Sequence, residues 1–90
     1  MIKKFHYTSR FNRKLKEFPK ASRLEIVEEL NLFMQNPKEP SFRLHQLEGS
    51  LKNHYSISLG SDVRLILRFL KADRSEILFY DIGTHEIYLN

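Results

Sequence analysis

The chain has 90 residues, 15 Lys or Arg against 11 Asp or Glu, a formal net charge of +4 and no cysteine. That length makes one small domain, residues 1–90, near the lower end of what folds on a single core, and 41% hydrophobic residues with seven Phe and four Tyr supply that core. The lack of cysteine excludes a disulfide framework or thiolate metal site. No apolar run approaches the roughly 20 residues of a membrane span, and no apolar core follows the basic N-terminus as in a signal peptide, so a cytoplasmic protein without membrane association is expected.

Ile2 to Tyr7 reads as a first strand. Thr8 or Ser9 then caps a short helix in which Phe11, Leu15 and Phe18 fall on one stripe, and Pro19 breaks it. Ser22-Arg23-Leu24-Glu25 fits a capping box at the start of a second helix. Leu24, Val27, Leu30 and Met34, flanked by Ile26 and Phe33, give that helix a broad buried face, and Asn36-Pro37 stops it. The two helices form a hairpin that needs a sheet to cover.

The second half supplies the sheet. His54 to Leu59 alternates, with Tyr55, Ile57 and Leu59 on one face and His54, Ser56 and Ser58 on the other. Gly60-Ser61-Asp62 makes a turn. In the next strand Val63, Leu65, Leu67 and Phe69 face the helices, leaving Arg64, Ile66 and Arg68 opposite. Lys71 to Ser75 is a polar turn before a last long strand, Glu76 to Ile82, with His85 and Tyr88 just beyond. The expected class is α+β: an N-terminal helical hairpin packed on one face of a small, mainly antiparallel, twisted sheet.

Charge is unevenly spread. Residues 1–23 hold eight Lys or Arg against Glu17 alone, net +7, while the remainder is net −3. Such a cluster is a solvated helix face, a phosphate-facing surface or a docking site for an acidic protein. Histidine, arginine and aspartate are gathered in the second half: His45, then Asp62 and Arg64 at the turn, then His85 at a strand exit. Each also has an ordinary structural reading. Turn chemistry alone accounts for Asp62, an exposed charge that discourages edge pairing accounts for Arg64, and a lone histidine is more often structural than catalytic. His6 and His54 are weaker candidates. The scattered His and acidic residues have no recognised metal-ligand spacing, so neither metal nor cofactor is expected.

The order His45-x-Leu47-x-Gly49-x-Leu51-Lys52, then Asp62-x-Arg64, then Gly83-Thr84-His85 resembles the RelE/ParE superfamily of small bacterial toxins, most closely its YafQ-like mRNA endonucleases. His45, Asp62 and His85 match histidine, aspartate and histidine positions of the YafQ-like pattern. Arg64 matches an arginine of the RelE branch and Tyr88 a late tyrosine. The pattern departs at Ser58, where a histidine is usual, at Val63, where a tryptophan is common, and at Ser56 and Ser58, where the RelE branch bears lysines.

The resemblance implies the toxin of a type II toxin-antitoxin system that cuts mRNA on the ribosome without a metal. In that chemistry a base takes the 2′-hydroxyl proton, cations stabilise the phosphorane and an acid protonates the departing 5′-oxygen. His45 and His85 would transfer protons, Asp62 would orient an imidazole and Arg64 would clamp the phosphate. Lys52, Arg68 and Tyr88 would contact RNA, Tyr88 by stacking. The implied partners are a cognate antitoxin, masking the basic groove in a toxin-antitoxin hetero-oligomer, and ribosome-bound mRNA. The alternatives are a ParE-like gyrase-binding toxin and a catalytically degenerate relative that binds RNA or antitoxin.

Overall fold

The computed structural model describes residues 1–60 and 62–84. In chain order the elements are β1 (Lys4–Tyr7), α1 (Ser9–Lys16), α2 (Lys20–Gln35), a 3₁₀ turn (Pro40–Phe42), β2 (His45–Gln46), a second 3₁₀ turn (Gly49–Leu51), β3 (Tyr55–Leu59), β4 (Val63–Phe69) and β5 (Glu76–Thr84). The five strands form one sheet in the order β1-β5-β4-β3-β2. The β1–β5 pair is parallel and the others are antiparallel. The architecture is α+β, as expected. Among the described residues, no helix is long and apolar enough to cross a membrane.

The sheet is asymmetric because its two faces carry different residues. On one side Ile57, Leu65, Leu67, Ile77 and Ile82 are fully buried beneath Phe33 of α2 and Phe11 of α1. Phe11 stacks on Phe79 at 5.5 Å, and Phe33 meets Phe42 edge-on at 5.3 Å, aromatic geometries that add to simple area burial. The alternation expected for β4 holds, since Leu65 and Leu67 belong to this core. Ile66 is only 2% exposed, yet it is buried outside that core, on the opposite face.

β1 pairs only with the first half of β5, from Lys4↔Glu76 to Tyr7↔Phe79. Thr8 then joins β5 to α1. Its backbone amide donates to the Phe79 carbonyl at 3.1 Å and its hydroxyl donates to the Tyr80 carbonyl at 2.7 Å. The same oxygen accepts the Phe11 amide at 3.0 Å as the helix N-cap. One side chain therefore satisfies a free helix amide and a strand carbonyl. At the edge, His6 Nε2 lies 2.7 Å from the Glu76 carboxylate, and this hydrogen bond holds the Glu76 carboxyl below its usual range.

Two expectations for α2 are corrected. The helix begins at Lys20, after Pro19, and has no side-chain cap, so Ser22 and Glu25 lie inside it and form no capping box. Pro19 has the fixed φ that can lead into a helix, which makes the proline a start as well as a stop. The buried stripe is Ile26, Leu30 and Phe33, whereas Leu24 and Val27 are 63% and 46% exposed. Apolar residues occupy too much of the circumference for periodicity to choose between the two faces. Arg23 serves the hairpin instead: its guanidinium donates to the Phe18 carbonyl at 2.8 Å and the Lys16 carbonyl at 3.2 Å. Cations favour helix C-termini for this reason.

Substitution separates the two capping schemes. Thr8→Ala is expected to cost about 1–2 kcal/mol in chemical denaturation, and Ser22→Ala less than about 0.5 kcal/mol. Equal losses, or a larger loss from Ser22, would contradict the observed caps.

Candidate functional site

Cross-strand partners share a face of a sheet, so the register gives the layout of the face turned away from the helical core. One row runs Ser58, Arg64, Gly83 across β3, β4 and β5. The next runs His45, Ser56, Ile66, Asp81 across all four antiparallel strands. A third pairs Arg68 with Leu78, and His54 lies close enough to feel the charge of Arg68. Between Ile66↔Asp81 and Leu67↔Phe79 the register slips, so Tyr80 is an extra residue on β5. Such bulges bend a strand and re-aim side chains. Here the Tyr80 ring lies 4.7 Å from the His54 ring.

His45 stands on the two-residue strand β2. Its orientation is set by the residue that ends the preceding 3₁₀ turn. Arg43 adopts a left-handed φ of 53°, costly for a side chain with a Cβ, and its carbonyl lies 2.8 Å from His45 Nδ1. A carbonyl only accepts, so Nδ1 carries the proton in the neutral ring and Nε2 keeps a lone pair. The ring is exposed and Nε2 has no partner among the described residues. This is the tautomer and access that a general base needs.

Arg64 is half-buried in the middle of β4 and donates to the Val63 carbonyl at 3.1 Å through one nitrogen. Most of its fork stays available for a bidentate contact. Arg68, on the same face, is exposed. Lys52 is exposed at the end of the turn leading towards β3, where its carbonyl accepts a 2.6 Å hydrogen bond from the Gln46 amide. His85 and Tyr88 lie outside the described residues.

Asp62 has a different setting. It is exposed on the β3–β4 turn and lines a cavity of about 580 Å³ together with Phe18, Glu25, Glu28, Glu29 and Val63. Gly60 permits that turn with a φ of 69°. The structure therefore brings His45, Arg64 and Arg68 onto one face, while Asp62 neighbours the carboxylates of α2.

Two features of the face escaped the sequence reading. Ser56 and Ser58 are buried, Ser56 completely, although alternation alone would leave them facing solvent. The connection carrying the Gly49–Leu51 turn roofs this side: Ser50 and Leu51 enclose a cavity over Ile66 and Tyr80. His54 also gains weight. Its ring is partly buried, its Nδ1 has no hydrogen-bond partner among the described residues, and it packs against Tyr80. Burial first, and the nearby Arg68 charge second, push the imidazole below its ordinary pKa. The available signal was its position at the entry of β3, opposite the end of β4, but the bulge that brings Tyr80 to it is not encoded by periodicity.

A depressed imidazole makes a signed prediction. Below about pH 6.5 the unfolded chain binds a proton that folded His54 resists, so the stability that neutral His54 contributes is intact above that pH. It is lost as the pH falls through the lower folded-state value. NMR titration should place His54 below 6.5, and His54→Gln should flatten the acid limb of the stability profile. An imidazole titrating at or above 6.5 would contradict the burial account.

No protein-family model and no curated protein matches the sequence. Solved structures do. YafQ from E. coli aligns with a TM-score of 0.72 at 19% identity, covering 98% of this chain and 99% of that one. A chain of the RelBE2 toxin-antitoxin complex from Mycobacterium tuberculosis aligns with a TM-score of 0.75 at 15% identity, over 94% and 100% of the two chains. The archaeal RelE-RelB complex from Pyrococcus horikoshii gives 0.70 at 21% identity, over 93% and 96%. Each superposition spans more than nine-tenths of both chains, and the fold of this chain is that of the RelE/ParE toxins, with YafQ and RelE among its structural neighbours.

Proposed function

We propose that the chain is the toxin of a type II toxin-antitoxin pair and that it cuts mRNA on the ribosome by 2′-hydroxyl attack. The supporting observation is the placement, on the sheet face opposite the helical core, of an oriented histidine base between two arginine rows. Solved complexes of the same fold pair RelE with RelB, which supports an antitoxin partner.

In this reading His45 Nε2 removes the 2′-hydroxyl proton as the oxygen attacks the adjacent phosphorus. The P–O5′ bond breaks, leaving a cyclic phosphate, and the 5′-oxygen takes up a proton. Arg64 donates to the non-bridging oxygens, whose charge grows in the transition state, and contributes more there than in the ground state. Arg68 and Lys52 hold the flanking backbone through charge. His85 is the proposed acid and Tyr88 the proposed stacking residue. Asp62 stands beside the α2 carboxylates and takes no step in this reaction.

His54 adds a second imidazole, at the entry of β3. Because its pKa is depressed, it is a base rather than a cation near neutrality. Its distance from the Arg64 row, several residues along β3, assigns it to RNA positioning alongside Arg68.

The test maps mRNA 5′ ends on translating ribosomes for wild type, His45→Gln and Arg64→Ala at matched folded concentration. Cuts in the A-site codon that fall roughly 10²–10⁴-fold in each variant are expected, as is their disappearance when the cut nucleotide is 2′-deoxy. Undiminished cutting of the 2′-deoxy substrate would overturn the mechanism. Inhibition of DNA supercoiling with no mRNA cuts would replace the reading with gyrase binding.

A further inference from the structure

α1 carries its cations at two different angles. Arg10 and Lys14 are spaced i, i+4 and so share a face, while Arg13 and Lys16 are exposed elsewhere on the helix. Among the described residues, only the first pair meets an acid. Lys14 Nζ lies 3.2 Å from Asp81 Oδ1, and Arg10 Nε lies 3.4 Å from Asp81 Oδ2. Asp81 is itself 5% exposed and fixed, because its Oδ1 accepts the Ile82 amide at 2.9 Å.

Asp81 belongs to the row of His45, Ser56 and Ile66, so the pair hangs over the candidate site although α1 is no part of that face. α1 can reach it because β1 ends beside Phe79, leaving the second half of β5 to be flanked by the helix. Arg10 and Lys14 form one wall of the cavity whose floor is Ile66 and Tyr80, and whose far wall is Ser50 and Leu51. Using Nε towards Asp81 leaves both terminal nitrogens of Arg10 without a partner among the described residues, and the Arg10 side chain is 58% exposed. Two cations over one buried carboxylate leave the site net positive.

We propose that Arg10 and Lys14, held in place by Asp81, bind an RNA phosphate adjoining the nucleotide that His45 and Arg64 act on. This rests on the RNA-cleavage reading and adds a specific site to it. Asp81 is a positioning residue: its carboxylate draws the Nε side of Arg10 and the Lys14 ammonium to this edge of the sheet, and the terminal nitrogens of Arg10 stay available to an anion. The basic N-terminal segment then acts through two selected side chains and not through bulk charge alone.

The experiment measures binding of a fully 2′-O-methylated single-stranded RNA oligonucleotide to the full chain as a function of salt, alongside NMR titration with inorganic phosphate. Arg10→Gln with Lys14→Gln should weaken binding roughly tenfold or more, and reduce the slope of log affinity against log salt by about 0.7, the value of one lost single-strand phosphate contact. Arg13→Gln with Lys16→Gln, which removes the same charge from the same helix, should do markedly less. Inorganic phosphate should shift the Arg10 Nε–H resonance.

Asp81→Asn discriminates further. It adds net positive charge and by Coulomb attraction alone would tighten binding, whereas loss of the held fork weakens it. Equal effects of the two double variants, or tighter binding by a folded Asp81→Asn, would overturn the proposal. If Asp81→Asn does not fold, the charge-matched pair of double variants decides. Because the oligonucleotide cannot be cleaved through its 2′ position, this outcome is separate from ribosomal cutting: a held phosphate without mRNA cuts would sink the nuclease alone, and cuts without the held phosphate would sink this site alone.

Discussion

The molecule depends on β5 being bonded along its two edges by different kinds of structure. Its first half has a parallel strand, β1, on one side, its second half has α1 there, and β4 runs along the other side throughout. A parallel partner so distant in sequence cannot form until the helical hairpin has returned the chain to the sheet, so β1, the hairpin and β5 close together. Thr8 is the hinge of that closure, since its hydroxyl serves both the helix amide and the strand carbonyl. Ile77, Phe79 and Ile82 of the same strand then supply the buried face against which Phe11 and Phe33 pack.

The functional face follows from this arrangement. With the apolar side committed to the hairpin, the alternate residues of β2 to β5 are left to carry His45, Arg64, Arg68 and Asp81. Carboxylates and cations are sorted to different places. Glu25, Glu28, Glu29 and Asp62 surround the cavity beside α2, and on the opposite face Asp81, the one buried acid among the described residues, meets two cations. A polyanion approaching the molecule therefore meets attraction at the sheet and repulsion beside α2.

Most of the architecture was legible because it rests on alternation and breakers, which are local. The inward set of β4, the turn at Gly60 and the break at Pro19 all follow from residues within a few positions. The start and rotation of α2 were not legible. Ser22-x-x-Glu25 satisfies the pattern of a capping box but sits inside a helix that Pro19 starts, and Leu24 is as apolar as the Ile26 that is actually buried. Tertiary packing made that choice.

For the site, sequence motifs named His45 and Arg64, and register places them on one face with Arg68. His54 was undervalued because a regular strand would keep it remote, whereas the β5 bulge brings Tyr80 against it. The Asp81 pair was invisible for a different reason. Its members are about seventy residues apart, and their meeting depends on β1 being short enough for α1 to lie beside β5.

The most direct measurement is the structure, by electron cryomicroscopy, of the protein on a translating ribosome whose A-site codon is 2′-O-methylated. The account predicts the scissile phosphate against Arg64, with His45 Nε2 within hydrogen-bond reach of the modified oxygen and α2 turned away from the mRNA. An A-site codon lying against the Glu25 to Glu29 side, or a protein bound with its sheet facing away from the mRNA, would contradict it.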